Sequence, residues 1–279
     1  MKLDLNAAWD QAVRLIAANR EVILVLGGVF FFLPYALFGM LVPMPDFAAV
    51  AGPEGQNSAA LMSAMNGFLA DYWWALLLLA LVQTIGAIAV MAVIGDPTRP
   101  TVRTAIGRGM LYLLPNIGVQ LLTSIAFTMV LFVAMLLGTL TGSQTIVATL
   151  SVFSLPVLFW LWTRLSLSGA AIAIEQTANP LAAIARSWRL TGGNGLRLSV
   201  FYLLLLAAFF VISQVLGLIV RVAVALPSAD VAQVLGALLS GLIYAAMIIV
   251  GYAVVASVHR QFARAERTLK SDSGAPDPA

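Results

Sequence analysis

Long uncharged runs separated by short polar stretches set the plan of this 279-residue chain. Charged residues bound the intervals 21–46, 71–96, 197–221 and 230–260, and each interval holds more than about 20 uncharged residues, the helical length needed to cross about 30 Å of hydrocarbon. The interval 108–164 is uncharged, broken by Thr141-Gly142-Ser143, and long enough for two crossings. The pattern predicts an all-α polytopic membrane protein with six transmembrane helices, at about 22–42, 74–94, 113–137, 145–163, 198–220 and 234–258. A single membrane domain over 1–270 is expected. Residues 271–279 hold no core-forming side chains, so the tail is expected to be disordered.

The polar stretches predict short amphipathic interfacial helices. The clearest is 179–194, NPLAAIARSWRLTGGN. Asn179 can cap it, Pro180 suits its first position, and Gly192-Gly193 ends it. Leu181, Ile184, Ala185 and Trp188 form one apolar stripe for the membrane, with Arg186 pointing away and Arg189 on the flank. A second surface helix follows a turn at 95–100, with Val102, Ala105 and Ile106 toward lipid and Arg103 and Arg108 toward headgroups. A third, 3–19, has Leu5, Ala8, Trp9, Ala12, Val13 and Ile16 on its apolar face. A surface helix followed by a two-span hairpin thus occurs three times, starting near residues 3, 98 and 179. Pro100…Ala105-Ile106-Gly107-Arg108 set against Pro180…Ala183-Ile184-Ala185-Arg186 makes a threefold repeat possible. Convergence of interfacial helices on one composition is the other account.

Within the spans, Pro34 predicts a kink. Gln83, Asn116, Gln120 and Gln214 are the candidate intramembrane polar residues and need partners in hydrocarbon. The loop after span one has helical spacing at Leu61, Met65 and Phe68. Tyr72, Trp73 and Trp74 are expected in an outer aromatic belt, Trp160 and Trp162 in an inner one. Arg164 is read as snorkelling to the interface. Should its helix run on, Arg164, Ser168 and Glu175 would share a face.

Composition sharpens this reading. The chain is 61% hydrophobic and 10% charged, where soluble domains carry roughly a quarter charged residues. The net charge of +3 is not a nucleic-acid face, because 14 of the 15 Lys and Arg residues fall on one side of the six crossings, leaving Arg221. That asymmetry is the positive-inside signal and places both termini in the cytoplasm. Asp4 and Asp10 ahead of the first run argue against a cleaved signal, so span one is expected to be retained. Zero cysteines exclude disulfides and thiolate sites. The single histidine, His259 beside Arg260, is expected to be solvated at the interface. No HExxH, GxSxG or clustered ligands occur, so no catalytic, metal-binding or cofactor-binding residue is assigned and no cofactor is expected.

At 181–191, LAAIARSWRLT, the chain resembles the bacterial glycerophosphoryl diester phosphodiesterase membrane-domain family, whose six-span module carries an A-l-r-r-S-W-x-L-t-x-G element. The matching residues are Ala183, Ile184, Ala185, Arg186, Ser187, Trp188, Leu190, Thr191 and Gly193, with Ala185 where a second arginine often stands. Arg164-Leu165, Glu175, AWDQAVRLIAANR and GGVFFFLP are also similar to that family's pattern. The resemblance implies a bacterial inner-membrane module distinct from the catalytic domain of fused members, hence no enzymatic activity. The resulting expectation is a lipid-facing scaffold or envelope-maintenance protein. Membrane phospholipids would contact Arg103, Arg108, Arg186, Arg189 and Arg197, with another envelope protein as a possible partner. The alternatives are a transporter or lipid-translocating protein, which requires a polar cavity joining Gln83, Asn116, Gln120 and Gln214, and an intramembrane enzyme, which requires Glu175, Arg164 and His259 to converge.

Overall fold

The computed structural model describes residues 4–52, 57–96, 100–225 and 228–273, with no strand among them. The chain is an all-α polytopic membrane protein with six helical segments long and apolar enough to span a bilayer. α1 (Leu5–Ala18) leads into span one, built from α2 (Arg20–Gly27), a π-helical turn (Gly28–Phe32) and α3 (Leu33–Leu41). After α4 (Phe47–Ala51) comes span two, α5 (Ser58–Gly95). α6 (Val102–Leu111) precedes the hairpin of α7 (Leu113–Leu140) and α8 (Gln144–Leu165). α9 (Ser168–Glu175) and α10 (Pro180–Leu190) precede α11 (Gly195–Val224) and α12 (Ala229–Ser273). The order of surface helix, span, span therefore recurs three times, with α9 added before the third.

Several boundaries differ from the sequence expectation. Pro34 ends the π-helical turn rather than making a bare kink: the Leu33 N–H bonds to the Gly28 carbonyl, and the wider turn makes room for a ring with no N–H. α5 runs unbroken for 38 residues and absorbs both the segment from Ser58 and the Tyr72-Trp73-Trp74 triplet. α12 has 45 residues and extends well past Val258. The run His259–Lys270 is rich in Ala, Arg, Gln and Glu, good helix formers, and His259, Arg260 and Glu266 find partners on neighbouring helices. The expected disordered tail is thus helical over residues 271–273, while 274–279 lie outside the described residues. So do Glu54, residues 97–99 of the 95–100 turn, and Pro227.

The surface helices pack by their small residues. α1 buries Ala8 and Ala12, α6 buries Ala105 and Gly109, and α10 buries Ala183 and Ser187, each pair at i and i+4 on one face. Trp9, Val13 and Leu181 point outward, while Trp188 lies half-exposed against Trp160 and Arg164 of α8. The stripes expected to face lipid do so only in part: Ala8, Ala12 and Ala105 turn inward, and Leu5, Ile16, Val102, Ile106 and Ile184 pack against the buried core. Small side chains let a helix backbone approach its neighbour closely, and at Gly109 an added Cβ would lie 2.6 Å from the Ile85 carbonyl oxygen.

The core gathers at the arginine-bearing end of the bundle. Ile23, Leu26 and Phe31 of span one meet Ile88, Val90, Val93 and Ile94 of α5, with Leu198 and Tyr202 of α11 and Val254 and Val258 of α12. Polar ties close this end. Arg260 Nη1 donates to the Ile94 carbonyl at 2.8 Å, and Gln261 Nε2 donates to the Asp4 carbonyl at 3.2 Å. The other end is looser, since α11 buries only Leu198, Ser199, Phe201 and Tyr202 near its start.

Candidate functional site

At the closed end, α9, α10 and α12 bring four ionisable side chains together. Asn179 caps α10, its Oδ1 accepting from the N–H groups of Leu181 and Ala182, which fixes where the helix starts. About two turns later Arg186 points between α9 and α12. Its Nε donates to both Glu175 oxygens at 3.0 and 2.9 Å, and its Nη1 donates to Glu266 Oε2. His259 Nε2 lies 3.1 Å from Glu175 Oε1, and the imidazole is only 1% exposed. Its Nδ1 is buried with no hydrogen-bond partner among the described residues. Burial alone would lower the Arg186 pKa, but the bonds and charges of Glu175 and Glu266 hold it above the ordinary arginine value.

This cluster forms one wall of a vestibule of about 680 Å3, completed by Gly95, Ile174, Arg260, Ala263, Arg264 and Arg267. Four arginines face two glutamates, leaving an excess of positive charge. Neither Arg264 nor Arg267 makes an ion pair among the described residues, and both side chains are exposed. No hydroxyl or thiol side chain lines the vestibule among the described residues.

Two expectations about these residues need correcting. Arg186 is not a free headgroup contact, because both ends of its guanidinium are held by carboxylates from other helices. His259 is not solvated: it faces inward from α12 because Glu175 supplies a polar partner there. Arg108 is also tied down, its Nη1 2.8 Å from Asp96 Oδ2. Arg103, Arg189 and Arg197 remain exposed and make no ion pair among the described residues. The intramembrane-enzyme constellation assembles only in part: Glu175 and His259 meet, whereas Arg164 is held elsewhere.

Arg164 is held by the Ser187-Trp188 element. Its guanidinium carbon stands 4.3 Å from the Trp188 ring centroid and 5.8 Å from that of Trp160. The helix carrying it does not run on to Glu175. It breaks between α8 and α9, and Ser187 closes the gap: the Leu167 N–H donates to Ser187 Oγ at 3.2 Å, and that hydroxyl donates to the Arg164 carbonyl at 2.7 Å. Ser187→Ala should orphan a buried N–H and a carbonyl and lower stability by about 1–2 kcal/mol, read as a fall in unfolding temperature in detergent. An unshifted transition would show that the hydroxyl does not hold the break together.

A second cavity, of about 400 Å3, opens between α5, α7, α8, α9 and α12, and Gln83, Asn116 and Gln120 line it together with Thr84 and Trp162. Tyr244 donates its hydroxyl to Gln83 Oε1 at 2.8 Å, and Gln120 Nε2 donates to Thr84 Oγ1 at 3.3 Å. Gln214, expected with them, sits instead on the exposed face of α11, away from the cavity.

No family model, curated protein or solved structure matches the chain. The likeness at residues 181–191 rests on those residues alone.

The vestibule was hidden from sequence reading because Glu175 and Glu266 stand 11 and 80 residues from Arg186. One signal was present: His259, Ala263 and Glu266 recur at i, i+4 and i+7 within an otherwise basic helix end, placing a lone acid on one face.

Proposed function

We propose that this membrane protein is a non-enzymatic, lipid-facing scaffold of the bacterial inner membrane that binds anionic, phosphate-bearing headgroups at its arginine-bearing end. The supporting observation is the vestibule's uncompensated positive charge, with Arg264 and Arg267 free of ion pairs among the described residues. The exposed Arg103, Arg189 and Arg197 supply further headgroup contacts around that end. The positive-inside rule would put this end, and both termini, in the cytoplasm. The Ser187-Trp188 element's similarity to the phosphodiesterase membrane-domain family agrees with a module that works by holding lipid or an envelope partner.

A basic side chain near an anionic surface contributes about 1 kcal/mol. The double substitution Arg264→Gln/Arg267→Gln should therefore weaken retention of phosphatidylglycerol by about 30-fold while leaving phosphatidylcholine retention unchanged, measured by native mass spectrometry after purification. Equal phosphatidylglycerol retention by the variant and the parent would reject the headgroup role. The alternative, a transporter or lipid-translocating protein, is favoured by one observation, the amide-lined cavity between the spans.

A further inference from the structure

The amide-lined cavity holds more hydrogen-bonding capacity than the helices around it consume. Asn116 is only 6% exposed, and its side-chain amide has no partner among the described residues. Gln83 spends its carbonyl oxygen on Tyr244, while its Nε2 is buried with no partner among the described residues. Gln120 commits its Nε2 to Thr84. An unmet buried amide nitrogen such as Gln83 Nε2 costs about 1–3 kcal/mol and calls for a partner, while the Asn116 amide opens to the cavity and can reach one there.

What satisfies them is constrained by the rest of the wall. No charged side chain lines this cavity among the described residues, in contrast to the vestibule. A charged ligand would lose its hydration here without a counter-charge. The aromatic rings of Trp162 and Tyr252 supply flat apolar surface beside the amides. The volume of about 400 Å3 lies in the range of small-molecule sites. On the α7 side Gln120 is exposed, and Leu114 and Leu121 beside it point outward as lipid-facing residues. The cavity is therefore reached from the hydrocarbon flank.

We infer that the cavity is a binding site for an uncharged, hydroxyl-rich group, with the Asn116 and Gln83 amides as its hydrogen-bond partners. Hydroxyls both donate and accept, which matches the mixed capacity of these amides. Such a group reaches the site either as the headgroup of a neutral amphiphile or as a free polyol. The inference deepens the transport alternative by naming a ligand class, and it is independent of the arginine-end proposal.

The test places the full chain in phosphatidylcholine nanodiscs and titrates octyl glucoside in one arm and glucose in the other, following tryptophan fluorescence. Saturable binding that disappears from the signal in Trp162→Phe locates the ligand at this wall. Asn116→Leu should weaken the affinity by at least about tenfold, the equivalent of one lost hydrogen bond. Gln83→Met provides a second route should Asn116→Leu fail to fold, and Gln214→Met, on the outward face, should bind as the parent does. Binding of the glucoside alone assigns a membrane-borne ligand, whereas binding of glucose as well assigns a free polyol. No saturable binding in either arm, unchanged affinity in both cavity variants, or equal competition by octyl phosphate would overturn the inference. None of these results alters phosphatidylglycerol retention, so the two proposals stand or fall separately.

Discussion

Arg186→Met should lower stability by about 2–3 kcal/mol, because it removes the one guanidinium that bridges Glu175 and Glu266. Removing one member of a buried ion pair costs about 3–5 kcal/mol. The smaller figure reflects side chains that stay partly exposed, at 19% for Arg186 and 28% and 35% for the two glutamates. Arg186→Lys should recover only part of the loss, since an ammonium cannot bridge two carboxylates with a planar fork. Adding Glu266→Gln to Arg186→Met should restore some of it by removing one of the repelling charges. Denaturant unfolding in a neutral detergent measures all three. A parent-like midpoint for Arg186→Met would mean that the charge cluster contributes nothing to joining α9, α10 and α12.

A second large effect is expected from one methyl group on α6. In Gly109→Ala the new Cβ would stand 2.6 Å from the Ile85 carbonyl oxygen, and backbone cannot rotate out of the way as a side chain can. α6 must lift from α5, at a cost of about 3 kcal/mol. Gly107, two positions earlier on the same helix, has nothing within 4 Å of its added Cβ. Gly107→Ala should therefore be neutral or stabilise by up to about 1 kcal/mol through helix propensity. The same substitution two residues apart is expected to act with opposite signs. Equal behaviour of the two variants in thermal unfolding would refute the close packing of α6 on α5.

These two cases mark where the sequence stops being informative. The six crossings were legible because a span needs about 20 uncharged residues, and that requirement is written in the order of residue types. The surface helices were legible for the same reason, since Leu181, Trp188, Trp9 and Val13 repeat at helical spacing. Their packing faces were not. Ala8, Ala12, Ala105 and Gly109 carry no strong signal of their own, and only the close approach of a neighbouring helix reveals why small residues stand there. The grouping of Gln83, Asn116 and Gln120 followed from the demand that amides in hydrocarbon find partners. Gln214 falls outside that group because it lies on the exposed face of α11. His259 misled because charged neighbours suggested exposure, while its partner Glu175 lies far away along the chain.

α12 reaches across the whole molecule in a single piece. At a rise of about 1.5 Å per residue, its 45 residues measure about 68 Å, more than twice the hydrocarbon thickness. Near its start Gln233 Nε2 donates to the Met40 carbonyl, and near its finish His259 and Arg260 grip Glu175 and the Ile94 carbonyl. One continuous helix held by contacts at two levels ties the two rims of the bundle into a single element.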